Sequence, residues 1–103
     1  MIDWNSKIKE RTSMHLYCVS FIPHRELQFV VNTTSEEEAM KLAFETFDKH
    51  YDFGEEYRTF DDFAGVSAAQ EINMDFLAEV INRSIVDAYD AENKVIALDV
   101  AWE

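Results

Sequence analysis

Ser67-Ala-Ala-Gln-Glu71-Ile-Asn73-Met-Asp75-Phe-Leu-Ala-Glu79-Val-Ile-Asn-Arg-Ser-Ile85-Val-Asp-Ala-Tyr89 is the stretch on which the fold turns. Ile72, Phe76, Leu77, Val80, Ile81, Ile85 and Ala88 recur at the 3.6-residue spacing of an amphipathic helix, and Ser67 with Gln70 three residues on suits a helix cap. The spacing predicts one long helix over 67–89, with Asn73 as the N-cap of a shorter alternative. On the long helix Glu71, Asp75, Glu79 and Asn82 form an outward row, with the three carboxylates one turn apart.

Downstream, Asp90-Ala-Glu-Asn93 reads as a turn. Lys94 to Trp102 then alternates Ile96, Leu98, Val100 and Trp102 with Val95, Ala97, Asp99 and Ala101, the pattern of a strand in a sheet covered on one side. Upstream, Tyr57, Phe60 and Ala64 suit one side of a short helix ending near Gly65, or an irregular loop pinned by Phe53, Phe60 and Phe63. Before that, Ser35 and Glu38 form a capping box that opens a helix. Its apolar face is Met40, Ala43, Phe44, Phe47 and Tyr51, and Gly54 ends or kinks it.

Met14 to Ile22 is rich in β-formers and reads as a strand buried on both faces; Pro23 to Glu26 turns the chain into a second, antiparallel strand at Leu27–Val31. The C-terminal strand is expected beside Met14–Ile22, the more buried of the two. Met1 to Arg11 reads as a loose helix. The expected class is α+β, a small antiparallel or mixed three-stranded sheet with two main helices on one face, in the order (α)-β-β-α-α-β, within one compact acidic domain over 1–103.

Composition supports folding. Eight Phe, four Tyr and two Trp against two Gly and one Pro supply enough large apolar surface to offset the entropy of ordering 103 residues. The formal charge is -12, and it is unevenly placed: residues 1–34 hold four bases against three acids, so the remainder carries -13. Such a field repels nucleic-acid phosphates and anionic membranes and steers basic partners. The lone Cys18 lies in an apolar run without activating neighbours and reads as a buried thiol. Neither a secretory leader nor a run of about 18 apolar residues is present, so cytoplasmic residence is the expectation.

No catalytic or cofactor motif is found. His15, His24 and His50 lack metal-site spacing, and on a strand His15 and Cys18 fall on opposite faces. Asp48 to Thr59 fails as a calcium loop: its glycine is seventh rather than sixth, its third residue is His50, and its twelfth is Thr59. With only Gly54 and Gly65, there is no glycine-rich phosphate loop. The carboxylate pairs Glu55–Glu56 and Asp61–Asp62 read as solvated neighbours rather than an acid/base dyad.

What remains is charge with aromatics interleaved. Nine acids between Asp48 and Glu79 face only Lys49 and Arg58, a net of -7. Aromatics are enriched at protein interfaces, so Tyr57, Phe60 and Phe63 are candidate anchors among the steering carboxylates Asp52, Glu55, Glu56, Asp61 and Asp62, continued by Glu71, Asp75 and Glu79. The expected function is a non-catalytic inhibitor of a basic, nucleic-acid-binding protein such as a nuclease, its carboxylates standing in for phosphates. A small acidic α+β protein without catalytic residues resembles, in general character, phage-encoded anti-CRISPR and anti-restriction inhibitors, which would place it in the host cytosol. Two alternatives stand beside this: an immunity protein or antitoxin that neutralises a basic toxin, and a homo-oligomeric structural domain that uses the edge of the C-terminal strand near Trp102. A monomer or a homodimer suits these readings.

Overall fold

A computed structural model describes residues 15–24 and 26–101. The expected N-terminal helix over Met1–Arg11 and the proposed contact at Trp102 lie outside these residues. In chain order the elements are β1 (His15–Phe21), β2 (Leu27–Thr33), α1 (Glu36–His50), α2 (Phe60–Gly65), β3 (Ser67–Ile72), α3 (Met74–Asn82), β4 (Ser84–Asp90) and β5 (Val95–Val100). The strands form one sheet in the order β3-β1-β2-β5-β4, with every neighbouring pair antiparallel.

The stretch 67–89 is therefore not one helix but strand, helix and strand, and this overturns the three-stranded sheet with two main helices. Two local events divide it. The Asn73 side chain accepts the Phe76 N–H at 2.8 Å and starts α3 there, as in the shorter alternative. At the other end the Ser84 hydroxyl bonds the Val80 carbonyl, and the β-branched pair Ile85–Val86 follows in extended conformation. The helical periodicity is real only across Phe76, Leu77 and Val80, which pack inward.

The N-terminal half follows its local signals. β1 and β2 pair as a hairpin in unbroken register from His15↔Thr33 to Ser20↔Gln28. Ser35 caps α1 by accepting the Glu38 N–H at 3.1 Å, and three glutamates in the first turn suit the positive helix end. α1 ends at Tyr51, which turns extended, and Gly54 sits beyond it in a turn at φ +75.

Both faces of the sheet are covered. On the first, Tyr17, Val19, Phe21, Phe29, Val31, Val95 and Ala97 meet Ala39, Ala43 and Phe47 of α1 and Phe63 of α2. On the second, Val30, Leu98 and Val100 meet Val80 of α3, with Ile72, Phe76 and Leu77 beside them. β5 is accordingly an interior strand buried on both sides. It pairs with β2 rather than with β1, correcting the expected neighbour and the one-sided sheet. Each fully buried side chain such as Phe21 or Phe29 contributes about 1.5–3 kcal/mol.

Two polar knots lock this core. Gln28 Oε1 accepts from Cys18 Sγ at 3.0 Å and from Ser20 Oγ at 2.6 Å, while burial pushes the Cys18 thiol up to about 11. Asp90, 5% exposed, receives the Thr46 hydroxyl, the Lys49 ammonium and the Asn93 N–H, and so ties α1 to the β4–β5 turn. Among the described residues no helix is long and apolar enough to cross a membrane.

Candidate functional site

The connector from Tyr51 to Gly65 carries most of the expected contact residues, and aromatic packing decides which of them reach solvent. Phe63 is fully buried, stacked on Phe21 at 5.6 Å, so it is a core residue and offers no contact surface. Tyr57 meets Phe21 edge-on at 5.1 Å and is half-buried. Phe60, also half-buried, sits edge-on to Phe44 at 6.0 Å. Phe53, 40% exposed, lies flat on Phe47 at 5.4 Å and is the most open ring of the connector. The fold thus uses the aromatics to hold the connector down, which leaves its carboxylates outward.

Asp52, Glu55, Glu56, Asp61 and Asp62 are all exposed. The Asp52 side chain accepts the Gly54 N–H at 3.0 Å and closes the turn after α1. Glu55 faces Arg58 at 3.9 Å, a solvated pair of little energetic weight. Thr59 caps α2 by accepting the Asp62 N–H at 3.2 Å, and Asp61 and Asp62 then occupy the first turn of that helix. A cleft of about 480 Å³ opens beside this segment. Asp48 and Asp52 line it together with Lys49, His50 and Arg58, so its charge is mixed.

The row Glu71, Asp75 and Glu79 is broken up. Glu71 stands on β3 opposite Tyr17, on the face that carries α1 and α2, and its carboxylate pairs with His15 Nδ1 at 2.6 Å. Asp75 and Glu79 lie on α3, which covers the other face, with Glu79 at 3.8 Å from Arg83. The composite surface expected from a single long helix is therefore divided between opposite sides of the sheet.

On the α1 side the structure gathers a different set. A shallow groove of about 400 Å³ lies among Glu36, Glu37, Met40, Phe60 and Ala69, where the first turns of α1, the start of α2 and the middle of β3 meet. Its floor is apolar and its rim is acidic. Burial and the charges of Glu71 and Glu36 raise the Tyr17 phenol above its ordinary range, which places those two carboxylates in one field. Of these residues sequence reasoning singled out only Phe60: Glu36 and Glu37 lie inside the Ser35–Glu38 capping box, Met40 reads as part of a core face, and Ala69 falls in a helix that does not exist. The signal that pointed here was the triplet Glu36-Glu37-Glu38, which holds more acid than the Ser35 cap uses.

Among the described residues no three of His, Cys, Asp and Glu converge as a metal cluster. No protein-family model, curated protein or solved structure matches the chain.

Proposed function

We propose that the protein is a non-catalytic binder of a basic protein surface and acts by occupying Lys and Arg side chains that would otherwise hold nucleic-acid phosphates, as an anti-CRISPR or anti-restriction inhibitor does. One observation carries the reading. Glu36, Glu37, Asp61 and Asp62 are exposed and have no cationic partner among the described residues; Glu36 and Glu37 line an apolar groove rather than an unbroken polar face, and Asp61 and Asp62 follow its Phe60 in the chain. Carboxylates spread for solubility alone need no such neighbour. Rigid acids on helix turns compete for the same cations that phosphate contacts use, while apolar contact supplies what charge in water does not.

The test is capture from a host lysate on immobilised protein, followed by elution with a salt gradient and, separately, with duplex DNA. Partners should release at raised salt, and DNA should displace them. Displacement by salt but not by DNA favours the immunity-protein or antitoxin alternative. Capture that survives reversal of Glu36, Glu37, Asp61 and Asp62 to Lys rules out the acidic face as the contact.

A second reading has its own observation. The outer strand β4 exposes Ile85 at 74%, Val86 at 59% and Tyr89 at 58%, apolar surface suited to a second copy of the chain. This relocates the homo-oligomer alternative from the C-terminal strand, which is interior, to β4. Light scattering of the protein and of an Ile85→Lys variant decides it, since a monomer in both removes the reading.

A further inference from the structure

We infer that the outer edge of β3 is a docking strand: a basic, extended segment of the partner pairs along Ser67–Glu71 and seats an apolar side chain in the groove over Ala69. The inference rests on the acidic-face reading above and specifies how the partner is held.

Hydrogen-bond alternation identifies the free backbone groups. Ile22 N–H donates to Val66 C=O at 3.0 Å, and the β1–β3 register places these two residues opposite each other, one step beyond Phe21↔Ser67. In an antiparallel ladder, residues that bond their neighbour alternate with residues that face away from it. The Val66 carbonyl and both backbone groups of Ala68, Gln70 and Ile72 are therefore directed toward β1. Ser67, Ala69 and Glu71 direct theirs away, to an edge that no strand pairs with among the described residues. These same three residues have their side chains on the α1 and α2 side, because Ala69 faces Val19 and Glu71 faces Tyr17. A residue of an added strand opposite Ala69 would exchange hydrogen bonds with it and point its own side chain to the same side, beside Met40 and Phe60.

Chemistry selects the occupant. Outer strands are usually blunted by Lys, Pro or a bulge. β4 carries such a bulge between Val86 and Ala88, whereas β3 runs six residues in unbroken register and contains neither Lys nor Pro. Ala68 and Ala69 leave its backbone accessible. Its only charge is the acidic Glu71, and Glu36 and Glu37 line the groove beside Ala69, so a second copy of this acidic chain is repelled and a strand alternating Lys with apolar residues is attracted.

The test uses a fluorescein-labelled Lys-Val-Lys-Leu-Lys-Val-Lys peptide, followed by anisotropy at low ionic strength, and a matched peptide N-methylated at the central Leu. The expected result is saturable binding with amide shifts concentrated at Ser67–Glu71, weakened tenfold or more by the N-methyl group, by Ala69→Pro and by Glu36→Lys with Glu37→Lys. Pro at an outward-facing position removes no bond to β1, and the N-methylated peptide carries the test should that variant fail to fold. Unchanged affinity for the N-methylated peptide, or no binding at millimolar peptide, overturns the docking strand. Salt-released capture in the lysate experiment would then leave the broader acidic-face reading standing.

Discussion

The Thr46 hydroxyl of α1 donates to Asp90 Oδ2 at the end of β4 at 3.1 Å, joining residues 44 positions apart inside the protein. Lys49 Nζ reaches the same oxygen at 3.2 Å, while the Asn93 N–H bonds the other oxygen at 3.1 Å. The turn that follows includes Lys94 in the left-handed region at φ 56. One buried carboxylate therefore fixes both the α1 contact and the turn between β4 and β5. Replacing it by Ala leaves the Asn93 N–H without its acceptor and cuts the link to α1, while the Thr46 hydroxyl keeps the Leu42 carbonyl at 3.1 Å, so Asp90→Ala should destabilise the fold by roughly 2 kcal/mol in urea titration.

The same carboxylate gives a pH signature. Burial alone would raise its pKa, but the Asn93, Lys49 and Thr46 hydrogen bonds outweigh burial and hold it below its ordinary 3.8. A group whose folded pKa is depressed stabilises the fold above its unfolded pKa and loses that contribution as pH falls through the folded value. The stability gap between the wild type and the Asp90→Asn variant should be constant above pH 5 and narrow progressively below about pH 4. Paired thermal melts across that range measure it, and a gap independent of pH contradicts the assignment.

Two single substitutions report on how 67–89 is divided. Asn73 caps α3, so Asn73→Ala should cost about 1 kcal/mol. Ser67, the cap that one long helix would need, lies instead at the start of β3. Its hydroxyl is shielded from solvent and meets no hydrogen-bond partner among the described residues. Ser67→Ala should therefore be neutral or slightly stabilising. A long helix would give the reverse order in equilibrium unfolding.

The chain was legible where local chemistry and final structure agree. β1, β2 and α1 carry β-branched and aromatic runs, a Pro23 turn and the Ser35 cap, each of which acts within a few residues. β3 has no such signature: Ser67, Ala68, Ala69 and Gln70 become a strand through pairing with β1, about 50 residues away in the chain, and no window of the sequence contains that interaction. Ile72 and Ile85 then extend the true helical spacing of Phe76, Leu77 and Val80 by coincidence, although the first sits on a strand against α3 and the second is exposed. The candidate site was lost by the same route. A row through Glu71 and Asp75 exists only if the helix is continuous, and the groove at Ala69 arises where three separate elements meet.

Phe63 separates core from contact among the connector aromatics. Fully buried, it touches Phe21, Phe29, Phe44 and Phe47 with ring centroids between 4.9 and 6.0 Å. Phe63→Ala should cost about 3–5 kcal/mol, a large part of a small domain's stability, and weaken partner binding only through the folded fraction. Circular dichroism melts alongside binding at a temperature where the variant remains folded would show this. A large affinity loss with unchanged melting would return Phe63 to the surface.

Tyr17 senses the acidic rim of the proposed docking edge. Burial is the largest cause of its raised pKa, followed by the charges of Glu71 and Glu36. Neutralising either carboxylate removes one repulsion against the phenolate, so Glu71→Gln or Glu36→Gln should lower the pH at which Tyr17 ionises, with burial still holding it above its ordinary range. Carbon-13 labelling of tyrosine resolves this ring from Tyr51, whose own phenol is raised by burial and by its bond to Asp87. An arginine version of the peptide, which keeps its charge above pH 10, should shift Tyr17 in the same direction and leave Tyr51 unmoved, because its guanidinium groups would offset the Glu71 and Glu36 field. Equal shifts at both rings would mean that the peptide binds elsewhere on the acidic surface.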